Sequence, residues 1–334
     1  MSNIKNRTAI QSNSNFHSLS GNSFFENNKE MMIYREKWEK NPKTFFVEDF
    51  PLFIDLEVTN TCNLKCPFCF TTIGGNKIEK GFVADDIVTK VIDEGAANGL
   101  YGVKFNIRGE PLLHKNIANF VKYAKKKKLI DVYFNTNGTL LKENVVYRLI
   151  DAGLDRISIS FEGHTKKIYE KCRVGANYED VVENIKNIKR IKDKLKVSHP
   201  KVRVQTISLP EKEWDIVEYK NFWEPFVDEV SYLDYQMMRK KEKNLKFSWG
   251  CSQLWQRMAV WWDGTILVCN HDFDGISSMG KVGETSIKNA WNNIVINSIR
   301  NIHKNGKSHI LSMCNGCFLR TSEIRKMVNN QNDI

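Results

Sequence analysis

Apolar residues recur along this chain with two periods. Short continuous or alternating runs at 52–58, 102–107, 131–135, 156–160, 202–207 and 228–233 predict β-strands. Between them, apolar residues three and four apart at 84–98, 116–127, 142–152, 178–194 and 214–222 predict helices. Strand and helix alternate, which is the order of a parallel sheet. Six such units are too few to close an eight-stranded barrel, so the expected fold class is α/β, a partial (β/α)6 TIM-like barrel with an open side.

The flanks have other textures. Residues 1–30 are rich in Asn and Ser without sustained periodicity and predict a draped arm, which Phe16, Phe24 and Phe25 could tether. A short charged helix at 34–41 and the residues Phe45, Phe46, Phe50 and Pro51 lead into the first strand. After the barrel comes a basic linker holding Arg239-Lys-Lys-Glu-Lys243, and then Trp255, Trp261 and Trp262 with Asp263-Gly264 predict short strands and a tight hairpin. The expected division is an arm and lead-in at 1–48, the barrel at 49–234, the linker at 235–250 and a small cysteine-rich unit at 251–334. No internal repeat is found.

Charge changes this picture little. The net charge over 334 residues is +11. The clearest basic run, Lys125 to Lys128, ends an amphipathic helix, where cations complement the helix dipole and face water. No aromatic residues are interleaved as stacking platforms, so nucleic acid is not the expected partner. An anionic small substrate or an acidic electron-donor protein suits a basic surface better. No apolar run is long enough for a membrane span, and the polar opening lacks a signal peptide's apolar core, so a cytoplasmic protein is expected.

Cysteines change it a great deal. Of the eight in the chain, seven fall into two groups at ligand-like spacing. Cys62, Cys66 and Cys69 lie within Cys-Asn-Leu-Lys-Cys-Pro-Phe-Cys, on the loop after the first predicted strand, where barrels place their sites. A structural zinc site is normally closed by four ligands, whereas three leave a position open for something that reacts.

The spacing C-x3-C-x2-C, with Phe68 before the last cysteine, resembles the cluster motif of the radical S-adenosylmethionine (SAM) superfamily. The resemblance implies that the three cysteines hold a 4Fe-4S cluster whose fourth iron is chelated by SAM. It implies an electron supplied by a flavodoxin or ferredoxin-type donor and a 5'-deoxyadenosyl radical that abstracts hydrogen. It also assigns strand-end residues. Asn106-Ile-Arg108-Gly109-Glu110-Pro111 is similar to the family's Gly-Gly-Glu-Pro segment, with Glu110 for the SAM ammonium and Arg108 in place of the first glycine. Thr136-Asn137-Gly138 is similar to a Thr-Asn-Gly segment, although Asn and Gly equally suit an ordinary turn. Ser160, on the same strand face as Ser158, is the residue expected at the ribose, and Arg173 the one expected at the SAM carboxylate. Gln205 is a weaker candidate for adenosine or substrate. Cys172, outside both groups, reads as a small buried apolar group, with a hydrogen donor to a radical as the sharper alternative.

The second group is Cys251, Cys269, Cys314 and Cys317, with a G-x4-C spacing from Gly264 and a C-x2-C knuckle. Four thiolates alone fit zinc or iron-sulfur equally. Downstream of such a core the pattern resembles the twitch domain, the shorter relative of the SPASM domain, which implies one auxiliary 4Fe-4S cluster. A cluster with every iron ligated is expected to move an electron. The function expected is that of a radical SAM oxidoreductase. Its expected reaction is hydrogen abstraction from a small polar, sugar or amino-sugar-like substrate in surface-polysaccharide or related biosynthesis, giving net oxidation or rearrangement. Two alternatives stand beside it: maturation of a ribosomally made peptide, and a non-enzymatic zinc or nucleic-acid-binding protein. No residue in the sequence marks itself as the substrate base.

Overall fold

The computed structural model describes residues 16–20, 28–73, 79–207, 215–233 and 249–324. It begins with a short strand β1 (Phe16–Ser18) and helix α1 (Lys29–Thr44), followed by β2 (Phe53–Leu56), one turn of helix α2 (Phe70–Ile73) and α3 (Asp85–Ala97). Strand and helix then alternate through β3 (Gly102–Lys104), α4 (Ile117–Lys126), β4 (Asp131–Thr136), α5 (Glu143–Asp151) and β5 (Arg156–Ser160). Two helices follow, α6 (Lys166–Cys172) and α7 (Tyr178–Leu195), before β6 (Lys201–Ile207), α8 (Ile216–Trp223) and β7 (Glu229–Leu233). The remainder holds β8 (Arg257–Val260), β9 (Thr265–Leu267), β10 (Ser278–Lys281), α9 (Ile287–Trp291) and α10 (Ile294–Lys304).

Helix ends follow from local chemistry. Asn177 caps α7 by accepting from the Asp180 backbone N–H at 2.9 Å, and Lys196 ends the helix in the left-handed conformation. Lys125 and Lys126 occupy the last turn of α4, and Lys125 also reaches Asp155 at 2.7 Å. The basic run is therefore a helix end with an acidic neighbour.

Strands β2 through β7 are parallel neighbours in sequence order, and the described strands form one sheet in the order β1-β7-β6-β5-β4-β3-β2-β8-β9-β10. The sheet ends at β1 and β10 and does not close, so the six-unit partial barrel expected from the pattern is the fold found. Its outer face is apolar. Ile54, Leu56, Val103, Phe105, Val132, Phe134, Ile157, Ile159, Val202 and Val204 are buried under the helices in one core. Burying a side chain of this size stabilises by roughly 1.5–3 kcal/mol.

The alternate residues face inward and are largely charged. Asp131 pairs with Arg156 at 2.6 Å, Glu229 with Arg203 at 2.6 Å, and Asp55 with both Lys104 at 2.6 Å and Arg257 at 3.2 Å. This interior resembles a lined cleft more than the apolar centre of a closed barrel. At the strands' N-terminal ends the cleft is stopped by α1, whose Met31, Tyr34 and Trp38 pack against Leu52, Phe53, Tyr101 and Tyr133. The lead-in helix, longer than the charged pattern at 34–41 predicts, is thus a plug.

Two features were not expected. Residues 16–18 of the predicted arm pair antiparallel with β7, while 1–15 and 21–27, including Phe24 and Phe25, and the basic run at 239–243 lie outside the described residues. Strand β8 lies parallel to β2, with Phe53 opposite Arg257 and Leu56 opposite Val260. The cysteine-rich unit therefore extends the barrel's own sheet. The expected hairpin is present as β8–β9, and Gly264 in its turn has φ +86°.

Candidate active site

The first cysteine loop leaves the C-terminal end of β2 and is laid across the turn after β3. Gly109 makes this possible. Its φ is +70°, and a Cβ there would stand 2.4 Å from the Thr59 carbonyl oxygen and 2.7 Å from that of Thr61. The next residue, Glu110, donates its backbone N–H to the Thr61 carbonyl at 2.8 Å.

Cys62, Cys66, Cys69, Glu110, Ser160 and Arg173 line one cavity of about 170 Å³, together with Asn106, Asn135, Thr136 and Asn137. Cys66 is buried, whereas Cys62 and Cys69 are half-buried. The Leu64 backbone N–H donates to Cys62 Sγ at 3.4 Å, and Asn137 Nδ2 lies 3.9 Å from the same sulfur. Arg173 Nη1 lies 3.7 Å from Cys66 Sγ. Burial pushes the Cys66 thiol up to about 11 despite Arg173, and its two neighbouring thiols push the same way. Burial likewise raises Cys62. Three thiols gathered on one cavity wall, with Cys62 and Cys66 held protonated by burial until a cation replaces the proton, are a donor set that fits an iron-sulfur cluster.

Glu110 is fully enclosed. Its carboxylate accepts from the Thr136 hydroxyl at 2.7 Å, the Asn137 N–H at 2.8 Å and the Leu112 N–H at 3.1 Å. Burial nevertheless raises its pKa. Asn137 binds the loop too, donating to Asn63 Oδ1 at 2.9 Å. The Thr-Asn-Gly turn therefore fixes both the acid and the cysteine loop. Ser160 sits opposite Gln205 in the β5–β6 register.

Arg173 is held by Glu162 through Nε and through Nη2, the latter at 2.7 Å, and its guanidinium lies 5.6 Å from the Phe68 ring centre. Two of its donor positions are thus committed within the protein, and the third faces the cysteines. Phe68 is half-buried and braces this arginine. Cys172 is buried at the end of α6.

Arg108, which stands where the resembled segment has glycine, turns away from the cavity. Its Nε and Nη2 donate to Glu57 at 2.7 and 2.8 Å, and its guanidinium lies 4.1 Å from the Trp261 ring centre. It joins β2 to the C-terminal unit. Since both partners are almost wholly buried, Arg108→Ala is expected to cost about 3–5 kcal/mol of stability. Anaerobic urea denaturation checks this, and an unshifted midpoint would count against the pair's importance.

In the second group, Cys251 precedes a turn before β8, Cys269 follows β9, and Cys314 and Cys317 follow α10. Burial raises Cys251, Cys269 and Cys314 strongly, and in each case neighbouring cysteines of the group add to it. The four belong to one locale. No group of three or more His, Cys, Asp or Glu side chains among the described residues is drawn together as ligands of a single ion. His303 lies between two of these cysteines, with Nδ1 3.1 Å from the Cys251 N and Nε2 3.4 Å from Cys314 Sγ. Sequence reasoning missed His303, and it gave no role of their own to Asn106, Asn135 and Glu162, which lie within the strand-end segments it singled out. Strand alternation through Ser158 and Ser160 could have found Glu162, whereas a lone histidine on an amphipathic helix carries no such signal.

A family model described as the radical SAM superfamily matches residues 56–218, and one described as an iron-sulfur cluster-binding domain, SPASM, matches residues 251–318. The chain belongs to the radical SAM superfamily. This radical SAM enzyme uses two 4Fe-4S clusters and SAM, and the reading as a non-enzymatic zinc or nucleic-acid-binding protein falls away. The probable GTP 3',8-cyclase of Methanococcus maripaludis is 33% identical over 130 residues, which are 39% of this chain and 43% of that one. The PqqA peptide cyclase of Bradyrhizobium diazoefficiens is 34% identical over 130 residues, 38% of this chain and 32% of that one. The match therefore spans less than half the length of these relatives. Among solved structures, BtrN in complex with AdoMet and 2-DOIA superposes with a TM-score of 0.55 at 18% identity, covering 80% of this chain and 93% of that one. Streptococcus suis SuiB bound to precursor peptide SuiA gives 0.59 at 17% identity, covering 89% and 76%. These structural likenesses speak for the radical SAM fold. No helix among the described residues is long and apolar enough to cross a membrane.

Proposed function

We propose that this radical SAM enzyme abstracts a hydrogen atom from a small hydroxyl-bearing substrate, a sugar or amino sugar, with net oxidation or rearrangement. When bound and reduced, the cluster and SAM supply the 5'-deoxyadenosyl radical that takes the hydrogen. The chain's residues do the placing. Cys62, Cys66 and Cys69 hold the metal, Glu110 accepts from the SAM ammonium, and Ser160 serves the ribose. Arg173, fixed by Glu162, keeps one guanidinium edge toward the cysteines and the SAM carboxylate.

The observation that carries the substrate class is the polar inner face between the two cysteine groups. Lys104 stands on the same strand face as Asn106 of the cavity wall and pairs with Asp55 at 2.6 Å. Asp55 also accepts from Asn270, the residue after Cys269, at 3.0 Å. Asn270 Oδ1 is buried without a hydrogen-bond partner, an acceptor suited to a hydroxyl. Peptide maturation is the second reading, favoured by the likeness to the PqqA peptide cyclase; the equally extensive likeness to the GTP 3',8-cyclase favours a small molecule. A flavodoxin or ferredoxin-type donor, acidic against the +11 chain, suits the electron supply.

Anaerobic reconstitution should give about eight iron per chain, as two 4Fe-4S clusters require. With dithionite and SAM the protein should form 5'-deoxyadenosine. A panel of amino sugars, sugar nucleotides and short peptides, scored for stimulated 5'-deoxyadenosine formation, then tests the substrate class. Stimulation by peptides alone would overturn the hydroxyl-bearing assignment, and zinc without iron at both sites would overturn the whole reading.

A further inference from the structure

The buried stripe of α10 runs through Ile296, Ile299, Arg300 and His303. A histidine only 1% exposed in such a stripe calls for a reason. Its ring is fixed at both nitrogens. The Cys251 backbone N–H donates to Nδ1 at 3.1 Å, which occupies that nitrogen's lone pair. The proton of the neutral ring is therefore on Nε2, which lies 3.4 Å from Cys314 Sγ and donates to it. The Trp249 ring, centred 6.1 Å away, lies beside the imidazole, and Ser308 holds the Trp249 carbonyl at 3.1 Å. The imidazole thus links the first cysteine of the second group to the third.

We propose that His303 is a positioning residue that raises the reduction potential of the auxiliary cluster by donating a hydrogen bond from Nε2 to the Cys314 thiolate. This role rests on the reading of Cys251, Cys269, Cys314 and Cys317 as the ligands of that cluster. An N–H aimed at a ligand sulfur withdraws negative charge from the cluster, and the reduced form, which carries one more electron, gains most from it. The arrangement equips the auxiliary cluster to take up an electron as well as to brace the fold.

The test is an EPR-monitored redox titration of the reconstituted full chain, with the SAM-binding cluster distinguished by the change in its signal when SAM is added. His303→Phe removes the donor. At the wild-type midpoint of the auxiliary cluster, its ratio of reduced to oxidised form should fall about tenfold, equivalent to about 59 mV for one electron. The potential of the SAM-binding cluster should not move. His303→Gln can still present an N–H to Cys314 and should lie near wild type, whereas His303→Asn is too short and should follow His303→Phe. If the phenylalanine variant does not fold, the Gln and Asn variants decide between them, and equal potentials overturn the proposal. An unshifted His303→Phe does the same. A wild-type chain holding only about four iron, all in the SAM-binding cluster, would overturn the ligand assignment and this role with it.

Discussion

Cys66→Ala is expected to abolish formation of 5'-deoxyadenosine from SAM and dithionite, while iron falls from about eight to about four per chain. Cys66 is the buried member of its trio, with Arg173 Nη1 3.7 Å from its sulfur, and alanine there supplies no ligand in its place. The remaining iron should belong to the C-terminal site, and its spectrum should be unchanged. Cleavage of SAM that persists in the variant would refute the assignment of the trio.

The next largest effect is expected at Glu110. Glu110→Gln keeps one oxygen for the Thr136 hydroxyl and the Leu112 N–H but removes the charge that a SAM ammonium would pair with. A hydrogen bond to a charged group contributes about 1.5–3 kcal/mol, so SAM binding to the reconstituted protein should weaken roughly ten- to a hundred-fold. Equilibrium dialysis measures it, and unaltered affinity would remove Glu110 from the SAM site. The pH dependence has a definite sign. Burial raises the Glu110 pKa, so as pH falls the carboxylate takes up a proton earlier than an exposed glutamate would. SAM affinity should therefore decline on the acid side in the wild type and stay flatter in Glu110→Gln.

What the sequence told about the barrel follows from burial on one face only. Ile54, Leu56, Val103 and Phe105 had to be apolar because helices cover them, and that left a readable period. The strand ends were legible for a related reason. A turn that must take φ +70° under two carbonyls shows itself as glycine, and Gly109 directs attention to Glu110 beside it. What stayed hidden was pairing between distant segments. Nothing local in residues 257–260 states that they will lie parallel to 53–56, and nothing in 16–18 announces a strand against β7. Likewise, Arg108 read as a departure from a glycine motif, and only its contacts with Glu57 and Trp261 show that it fills space between two parts of the chain. Arg173 was picked out for its charge, but its Glu162 partner became visible only once the two met in three dimensions.

The parallel pairing of β2 with β8 carries a consequence for the making of the protein. During synthesis the first barrel strand emerges about two hundred residues before its neighbour on that side, and at roughly 5–20 residues per second that is a wait of about ten to forty seconds. For that interval the edge of β2 presents unpaired backbone groups beside a loop of three free thiols. Truncation that removes β8 should therefore do more than remove a cluster. It should leave a permanently raw sheet edge, with self-association of the shortened chain as its signature.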